Sequence, residues 1–189
     1  MKRSVIALVV QAALALAFAM PAFAQASAPL APSASTIDSN VTAALNSLYA
    51  HNQKARELGA KARAVLVFPD IRKGAFLIGA QFGFGALREN GQTVGYYRTA
   101  AASYGFQAGV KQFGYALFFM NDSALNYLNQ SDGWAVGTGP SLVVVDEGFA
   151  KSLTTTNLRS DVYAFVFNQQ GLMGGVGIEG SKITQIKPN

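Results

Sequence analysis

The sequence has no cysteine and a single histidine, His51, in 189 residues. Without a thiol, the chain cannot form a disulfide framework, a zinc–thiolate site or a cysteine nucleophile. Charged residues are also scarce, at 13% of the chain, whereas an average soluble domain has about 25%. These absences argue against a catalytic or metal-dependent function, and we expect neither a cofactor nor a metal site.

The first 24 residues have the pattern of a cleavable signal peptide. Lys2 and Arg3 precede an apolar run from Val5 to Met20, and Ala22-Phe23-Ala24 resembles a cleavage site. The run is shorter than a membrane-spanning helix, which needs about 20 residues. We therefore predict export to the periplasm or the medium. Because no cysteine is available for acylation, we also expect no lipid anchor.

Removal of this segment changes the charge balance and leaves one domain. Lys2 and Arg3 are lost with it, so 13 basic residues remain against 10 acidic ones. Such a mildly basic composition is not typical of a nucleic-acid-binding protein. Residues 25–36 are almost all small or polar and include two prolines, which predicts a flexible linker. Residues 37–189 then form a single predicted domain.

The domain begins with the apolar periodicity of one amphipathic helix, with Asp38 or Ser39 available as its N-cap. Its apolar positions recur at helical spacing: Ile37, Val41, Ala44, Leu45, Leu48, Ala55, Leu58 and Ala62. The opposite face becomes basic towards the C-terminal end, where positive charge also suits the helix dipole.

From Ala64 onward the apolar period changes to two, which is typical of strands. Ala64 to Phe68 predicts a buried strand that ends at Pro69, and Asn90-Gly91 predicts a hairpin turn. Tyr163 to Phe167 is apolar on both faces and predicts a central strand. A short helix is expected from Asp122 to Gln130.

Glycines alternate with aromatic residues in the long predicted strands. Between Phe76 and Ala86, one face carries phenylalanines and the other carries Gly79, Gly83 and Gly85. Glycine inside a strand is tolerated where a sheet bends or another backbone comes close. We therefore predict an α+β fold: a strongly curved, mostly antiparallel sheet or partial barrel, with the N-terminal amphipathic helix and a short inserted helix.

Three features suggest chemistry but have simpler explanations. Gly175 to Gly180 matches GxGxxG, yet a strand rather than a helix is expected after it, so we predict no nucleotide site. His51 has no cysteine or nearby serine elbow to activate, and Asp146-Glu147 precedes a glycine as exposed turns often do. A hydrolase that uses Asp146, Glu147 or His51 remains the least favoured alternative.

Basic residues near the predicted helix end form a candidate lipid-binding site. Each basic group beside an anionic membrane surface can contribute about 1 kcal/mol. The candidates, with one apolar side chain for insertion, are Lys54, Arg56, Leu58, Lys61, Arg63, Arg72 and Lys73. A solvated, functionless basic face is the alternative.

Several motifs together resemble the SYLF domain family, also described as lipid-binding or actin-binding, over roughly residues 55–187. They are Val67-Phe68-Pro69-x-Ile71-x-Lys73-x-Ala75, Gly79-x-x-x-Gly83-x-Gly85, Ser103-x-Gly105-x-Gln107-x-Gly109, Asp161-Val162-Tyr163-Ala164-Phe165 and Gly171-Leu172-x-x-Gly175-x-x-Ile178-x-Gly180. The segment from Pro140 to Thr154 is similar to that of the exported bacterial branch of the family.

This resemblance implies a non-enzymatic lipid-binding module. Fungal and animal relatives are cytosolic, bind phosphoinositides and bundle actin, whereas the signal peptide predicted here places this chain away from actin. We therefore expect a peripheral phospholipid-binding protein of the bacterial cell envelope, with an anionic phospholipid surface as its partner. A protein-binding or structural envelope module without direct lipid binding is the main alternative.

Overall fold

The computed structural model describes residues 30–75, 78–104, 109–129, 133–145, 159–170, 178 and 180–189. The predicted signal peptide lies outside these residues, as does the start of the predicted linker up to residue 29. Asp146-Glu147 and most of the GxGxxG segment also lie outside the described part of the chain.

Two consecutive helices replace the single N-terminal helix predicted from the sequence. Helix α1 spans Ala34–His51 and helix α2 spans Gln53–Gly59. The N-cap of α1 is Ser33, whose hydroxyl accepts a hydrogen bond from the Thr36 amide, so the predicted caps at Asp38 and Ser39 were wrong. The last three residues of the predicted linker are accordingly helical.

The break between the two helices occurs at Asn52, whose backbone is extended with φ −134° and ψ 99°. The Asn52 side chain accepts a hydrogen bond from the Ala55 amide at 2.9 Å and thereby caps α2. Asparagine is a favourable N-cap because its short side chain satisfies an amide that the helix leaves unpaired. This capping contact starts a second helix where the apolar periodicity predicted continuation.

One curved, mostly antiparallel sheet contains all the strands of the described residues. Its order is β5-β8-β3-β2-β1-β4-β7-β6, and only β6 and β7 pair in parallel. The strands are β1 (Ala64–Ala75), β2 (Ile78–Glu89), β3 (Gln92–Tyr104), β4 (Gly109–Phe119), β5 (Trp134–Ala135), β6 (Leu142–Val145), β7 (Val162–Gln170) and β8 (Lys182–Ile186). The predicted α+β class and sheet curvature are confirmed.

The sequence predicted that the first strand ends at Pro69, but the strand continues beyond this residue. Strand β1 continues to Ala75, and its register with both neighbours shifts between Val67 and Ile71. Proline cannot donate a ladder hydrogen bond, and a bulge is one of the few strand positions that tolerates it. The bulge around Pro69 therefore allows the strand to continue.

The bulge also explains why glycines line the neighbouring strands. A Cβ atom on Gly83 of β2 would lie 2.7 Å from the Asp70 carbonyl oxygen. One on Gly114 of β4 would lie 2.7 Å from the Pro69 carbonyl oxygen. Real Cβ atoms essentially never approach other atoms so closely. Glycine is thus needed on both sides of β1 because the bulged backbone approaches its neighbours.

Each face of the sheet carries its own hydrophobic core. On one face, α1 and α2 pack through Val41, Leu48 and Leu58 against residues such as Val65. The opposite core is larger and contains Trp134, Phe68, Tyr115 and Phe119. Successive side chains of β1 point to opposite faces of the sheet, so this strand contributes to both cores. Val65 and Leu66, for example, belong to different cores. The helices therefore occupy a fixed position over the β1–β2 side of the sheet.

Two local predictions are confirmed. Asn90 and Gly91 have φ values of 49° and 80° and connect β2 to β3 as a two-residue turn. These positive values suit asparagine and glycine in a hairpin turn. Helix α3 spans Asp122–Leu128 and is capped by Asn121, close to the predicted bounds.

Candidate functional site

A groove of about 500 Å³ lies between the two N-terminal helices, the start of β1 and the β2–β3 turn. Three arginines, Arg56, Arg63 and Arg88, contribute to its wall, and no carboxylate among the described residues lines it. The other lining residues are polar or apolar: Thr42, Leu45, Asn46, Tyr49, Gly59, Ala60, Ala62, Ala64, Val65, Asn90 and Gly91. We name this site the arginine groove. Its volume falls within the range of about 300–1,000 Å³ that is usual for small-molecule sites.

Arg56 reaches the groove from α2. Its Nε atom donates to the carbonyl oxygen of Tyr49 at 3.1 Å, and its Nη2 atom donates to the same oxygen. Tyr49 lies near the end of α1, so this contact spans the break at Asn52. The side chain is exposed, and the partner of its guanidinium among the described residues is a carbonyl dipole rather than a carboxylate.

Arg63 stands at the entrance to β1, where its amide donates to the Phe119 carbonyl at 2.8 Å. Its guanidinium Nε lies 3.3 Å from Oδ1 of Asp122, the first residue of α3. Both side chains are largely exposed, at 61% and 71%. Exposed ion pairs contribute little because water screens them and their side chains lose freedom. Arg63 is therefore held only loosely.

Arg88 is the most enclosed of the three arginines, with a side chain that is 17% exposed. Its Nη2 atom donates to the Asp38 carbonyl at 3.2 Å and the Thr42 hydroxyl at 3.0 Å, and Nη1 donates to Gly91. Its Nε atom is buried without a hydrogen-bond partner within the described part of the protein. Sequence analysis missed Arg88 because it lies on β2, far in sequence from the helix end.

The predicted site residues lie in several separate parts of the structure. Arg56 and Arg63 share the arginine groove, and Lys61 is exposed on the turn after α2. Lys54 instead pairs with Glu57 at 2.8 Å on α2. Its hydrogen bond to Glu57 is the main cause that lowers the pKa of that carboxyl.

Leu58 does not fit its predicted role as a membrane-inserting side chain. It is 3% exposed and packs in the core beneath the helices. The periodicity correctly placed Leu58 on the apolar face of the helix, but that face packs against the sheet. Insertion of Leu58 would require α2 to leave this core.

Arg72 lies apart from the arginine groove. Nine residues separate it from Arg63 along β1, which corresponds to roughly 30 Å of strand. It pairs with Asp70 at 3.1 Å beside a smaller cavity of about 300 Å³, which Phe82 and Phe84 also line. Lys73 follows in β1, and its side chain lies outside the described part of the structure. The predicted basic residues therefore do not form one surface.

His51 has no catalytic surroundings in the part of the chain that the structure describes. It is exposed at the end of α1, where its Nδ1 atom lies 2.8 Å from the Ser47 carbonyl. Among the described residues, no cluster of three or more histidine or acidic side chains could hold a metal ion.

No helix within the same residues is long and apolar enough to cross a membrane.

Residues 100–188 match the family model Ysc84, described as Las17-binding protein actin regulator. This match supports the assignment of the chain to the Ysc84, or SYLF, family. The match runs from the end of β3 through β8, and β1 and β2 lie between strands β3 and β4 of the same sheet. The resemblance inferred from the sequence is thereby supported. No curated protein matches the chain.

The matched range does not include the arginine groove. Arg56, Arg63 and Arg88 all precede residue 100, so the family match alone assigns them no role. SYLF domains form a family of binding modules. Any role of the groove must be argued from its own charge and shape.

Proposed function

We propose that this protein is a non-enzymatic module that associates peripherally with anionic phospholipid surfaces. The arginine groove is the observation that carries the proposal. Three arginines line one concave surface, and the described part of its lining contains no carboxylate. Arginine is well suited to phosphate because its planar donors match the geometry of phosphate oxygens.

The surroundings of the groove support a membrane partner. Lys61 is exposed on the adjoining turn and adds positive charge. Basic residues near an anionic bilayer attract it electrostatically, and this attraction falls off within about 10 Å at moderate salt. Asp122 and Asp38 offset part of the charge at the rim, so we expect moderate, salt-sensitive binding.

The SYLF assignment and the predicted signal peptide support this proposal from two directions. The family description names binding to Las17 and regulation of actin, which favours binding over catalysis as the function of this chain. The predicted signal peptide favours a location in the bacterial envelope, where phospholipid is the abundant anionic surface. We therefore propose the periplasmic side of an envelope membrane as the place of action.

Vesicle co-sedimentation tests this function. The purified protein, expressed from the full chain, is mixed with vesicles of phosphatidylcholine alone or with one-third phosphatidylglycerol. We expect binding to the anionic vesicles at low salt and its loss at high salt. Equal failure on both vesicles would reject the proposal. Capture of a stoichiometric envelope protein without vesicle binding would instead support the protein-binding alternative.

A further inference from the structure

The three arginines of the groove differ in how many of their donors are already used. Arg56 uses Nε and Nη2 on the Tyr49 carbonyl, so within the described residues its Nη1 atom remains for a ligand. Arg63 uses Nε on Asp122, and neither of its terminal nitrogens has a hydrogen-bond partner among the described residues. Arg88 uses both terminal nitrogens on Asp38, Thr42 and Gly91, and contributes its charge from the wall.

From this arrangement we infer that the groove binds one phosphate group, clamped between Arg56 and Arg63, and that Asp122 competes with the phosphate for Arg63. The inference rests on the proposed function and goes beyond it. A diffuse basic surface requires only net charge, whereas a clamp requires guanidinium donors at fixed positions. The ligand chemistry is a phosphate ester or free phosphate.

Asp122 is suited to such competition by its position and exposure. Asn121 caps α3 through its side chain, so Asp122 is not needed as the cap. Its only described partner is Arg63, and its side chain is 71% exposed. A phosphate that takes the same guanidinium therefore displaces a weak, screened contact. The Asp122 carboxylate occupies Arg63 in place of a phosphate and so lowers the affinity of the groove for phosphate.

The mixed lining of the groove agrees with a ligand that is anionic at one end. Leu45, Ala62 and Val65 line the same groove as the arginines. Apolar side chains beside a phosphate site can accept the glycerol and proximal acyl carbons of a lipid. Free phosphate has no such group, so comparison of the two ligands separates the sources of the phosphate.

A pair of substitutions with identical net charge change tests the competition. Asp122→Asn and Glu57→Gln each remove one negative charge, but Glu57 pairs with Lys54 outside the groove. Dissociation constants are measured by calorimetry for inorganic phosphate and for a monomeric short-chain phosphatidic acid. We expect Asp122→Asn to strengthen binding about two- to fivefold, the gain expected when a surface ion pair no longer competes, and Glu57→Gln to leave it unchanged. Equal strengthening by both variants would contradict the inference.

Substitution of arginine by lysine tests the clamp itself. Arg56→Lys and Arg63→Lys retain the charge but lose the forked donors, and Arg72→Lys is the matched control outside the groove. We expect each groove variant to weaken binding of the short-chain lipid about tenfold, with thermal unfolding unchanged and the control unaffected. Tighter binding of the lipid than of phosphate would identify a headgroup as the source, and equal binding would identify free phosphate.

The two proposals fail in distinguishable ways. If anionic vesicles bind but the lysine variants equal the wild-type protein, the groove is a diffuse basic surface, and only the clamp is rejected. If neither ligand shows saturable binding while vesicles bind, the clamp is again rejected. If vesicles do not bind at all, the proposed membrane function itself is rejected.

Discussion

The Tyr96 hydroxyl on β3 donates a hydrogen bond of 2.8 Å to the Asp38 carboxylate on α1. The Thr93 hydroxyl donates to the other carboxylate oxygen at 2.6 Å. Asp38 also accepts from Arg88 through its carbonyl. These polar contacts join α1 to the β2–β3 hairpin, and they hold Arg88 at the wall of the arginine groove.

Replacement of Asp38 should therefore loosen α1 from the sheet. Asp38→Ala removes the acceptor for Thr93 and Tyr96, and we expect a loss of about 1–3 kcal/mol in the free energy of unfolding. Chemical denaturation measures it, and the neighbouring exposed Ser39→Ala is the control. A stability equal to that of the control would show that these contacts do not hold the helix.

The same contact should raise the pKa of the Tyr96 phenol. Its hydrogen bond to Asp38 is the largest cause, because ionisation would remove the donated proton. A raised pKa stabilises the fold below the normal tyrosine value, and this stabilisation is lost as the pH rises through the folded value. Burial also raises the pKa values of Tyr49, Tyr97 and Tyr115, so ultraviolet titration should show several tyrosines titrating late. One of these late phenols should be absent in Tyr96→Phe and shifted down in Asp38→Ala. An unchanged titration in Asp38→Ala would contradict the assigned cause.

Asp161 makes the stability of the fold depend on pH in the opposite direction. Its carboxylate accepts from the Ser141 hydroxyl and amide and from the Asn121 side chain, which together lower its pKa. The resulting stability is present at neutral pH and is lost as the pH falls through the lowered folded value. We expect Asp161→Asn to reduce stability at pH 7 and to flatten its acid dependence. Denaturation curves across acidic pH test this, and parallel curves for both proteins would reject it.

The glycines beside the bulge should resist substitution by alanine. A Cβ atom on Gly83 would meet the Asp70 carbonyl oxygen at 2.7 Å, so we expect Gly83→Ala to lower stability by about 1–3 kcal/mol. Gly95→Ala is the control, because the three heavy atoms nearest to a Cβ there all belong to side chains and lie at 3.1 Å or more. A thermal midpoint for Gly83→Ala equal to that of the control would refute the close approach.

The cap at Asn52 should determine where α2 begins and how Arg56 is oriented. Asn52→Ala removes the bond to the Ala55 amide, with an expected cost of about 1 kcal/mol. Asn40→Ala is the control, because Asn40 is an exposed residue of α1 whose side chain caps no helix. Urea unfolding measures the difference, and equal stability of both variants would show that the cap is dispensable.

Local signals in the sequence predicted much of the fold. Asn90-Gly91 predicted the turn, the segment from Asp122 to Gln130 predicted α3, and alternating glycines predicted a curved sheet. Pro69 was misinterpreted as a strand end because a bulge depends on both neighbouring strands, which local sequence does not reveal. Likewise, the periodicity through Asn52 gave no sign that its side chain would start a new helix.

The candidate site was only partly predictable for the same reason. Arg56 and Arg63 lie close in sequence and were found together, whereas Arg88 joins them only through strand pairing of Val65 with Arg88. The sequence predicted Arg72 in the same cluster because it follows soon after Arg63. An extended strand separates them, whereas a helix would have kept them closer. Burial of Leu58 likewise became evident only once the helices were placed on the sheet.

The most direct test of the membrane function is the vesicle partition coefficient of a double charge-reversal variant, Arg56→Glu with Arg63→Glu. Its matched control is Arg98→Glu with Lys182→Glu, which changes the net charge equally at exposed positions on β3 and β8. On vesicles containing one-third phosphatidylglycerol, we predict that the groove variant loses nearly all binding while the control retains most of it. Equal binding by the two variants would contradict the assignment of membrane binding to the arginine groove.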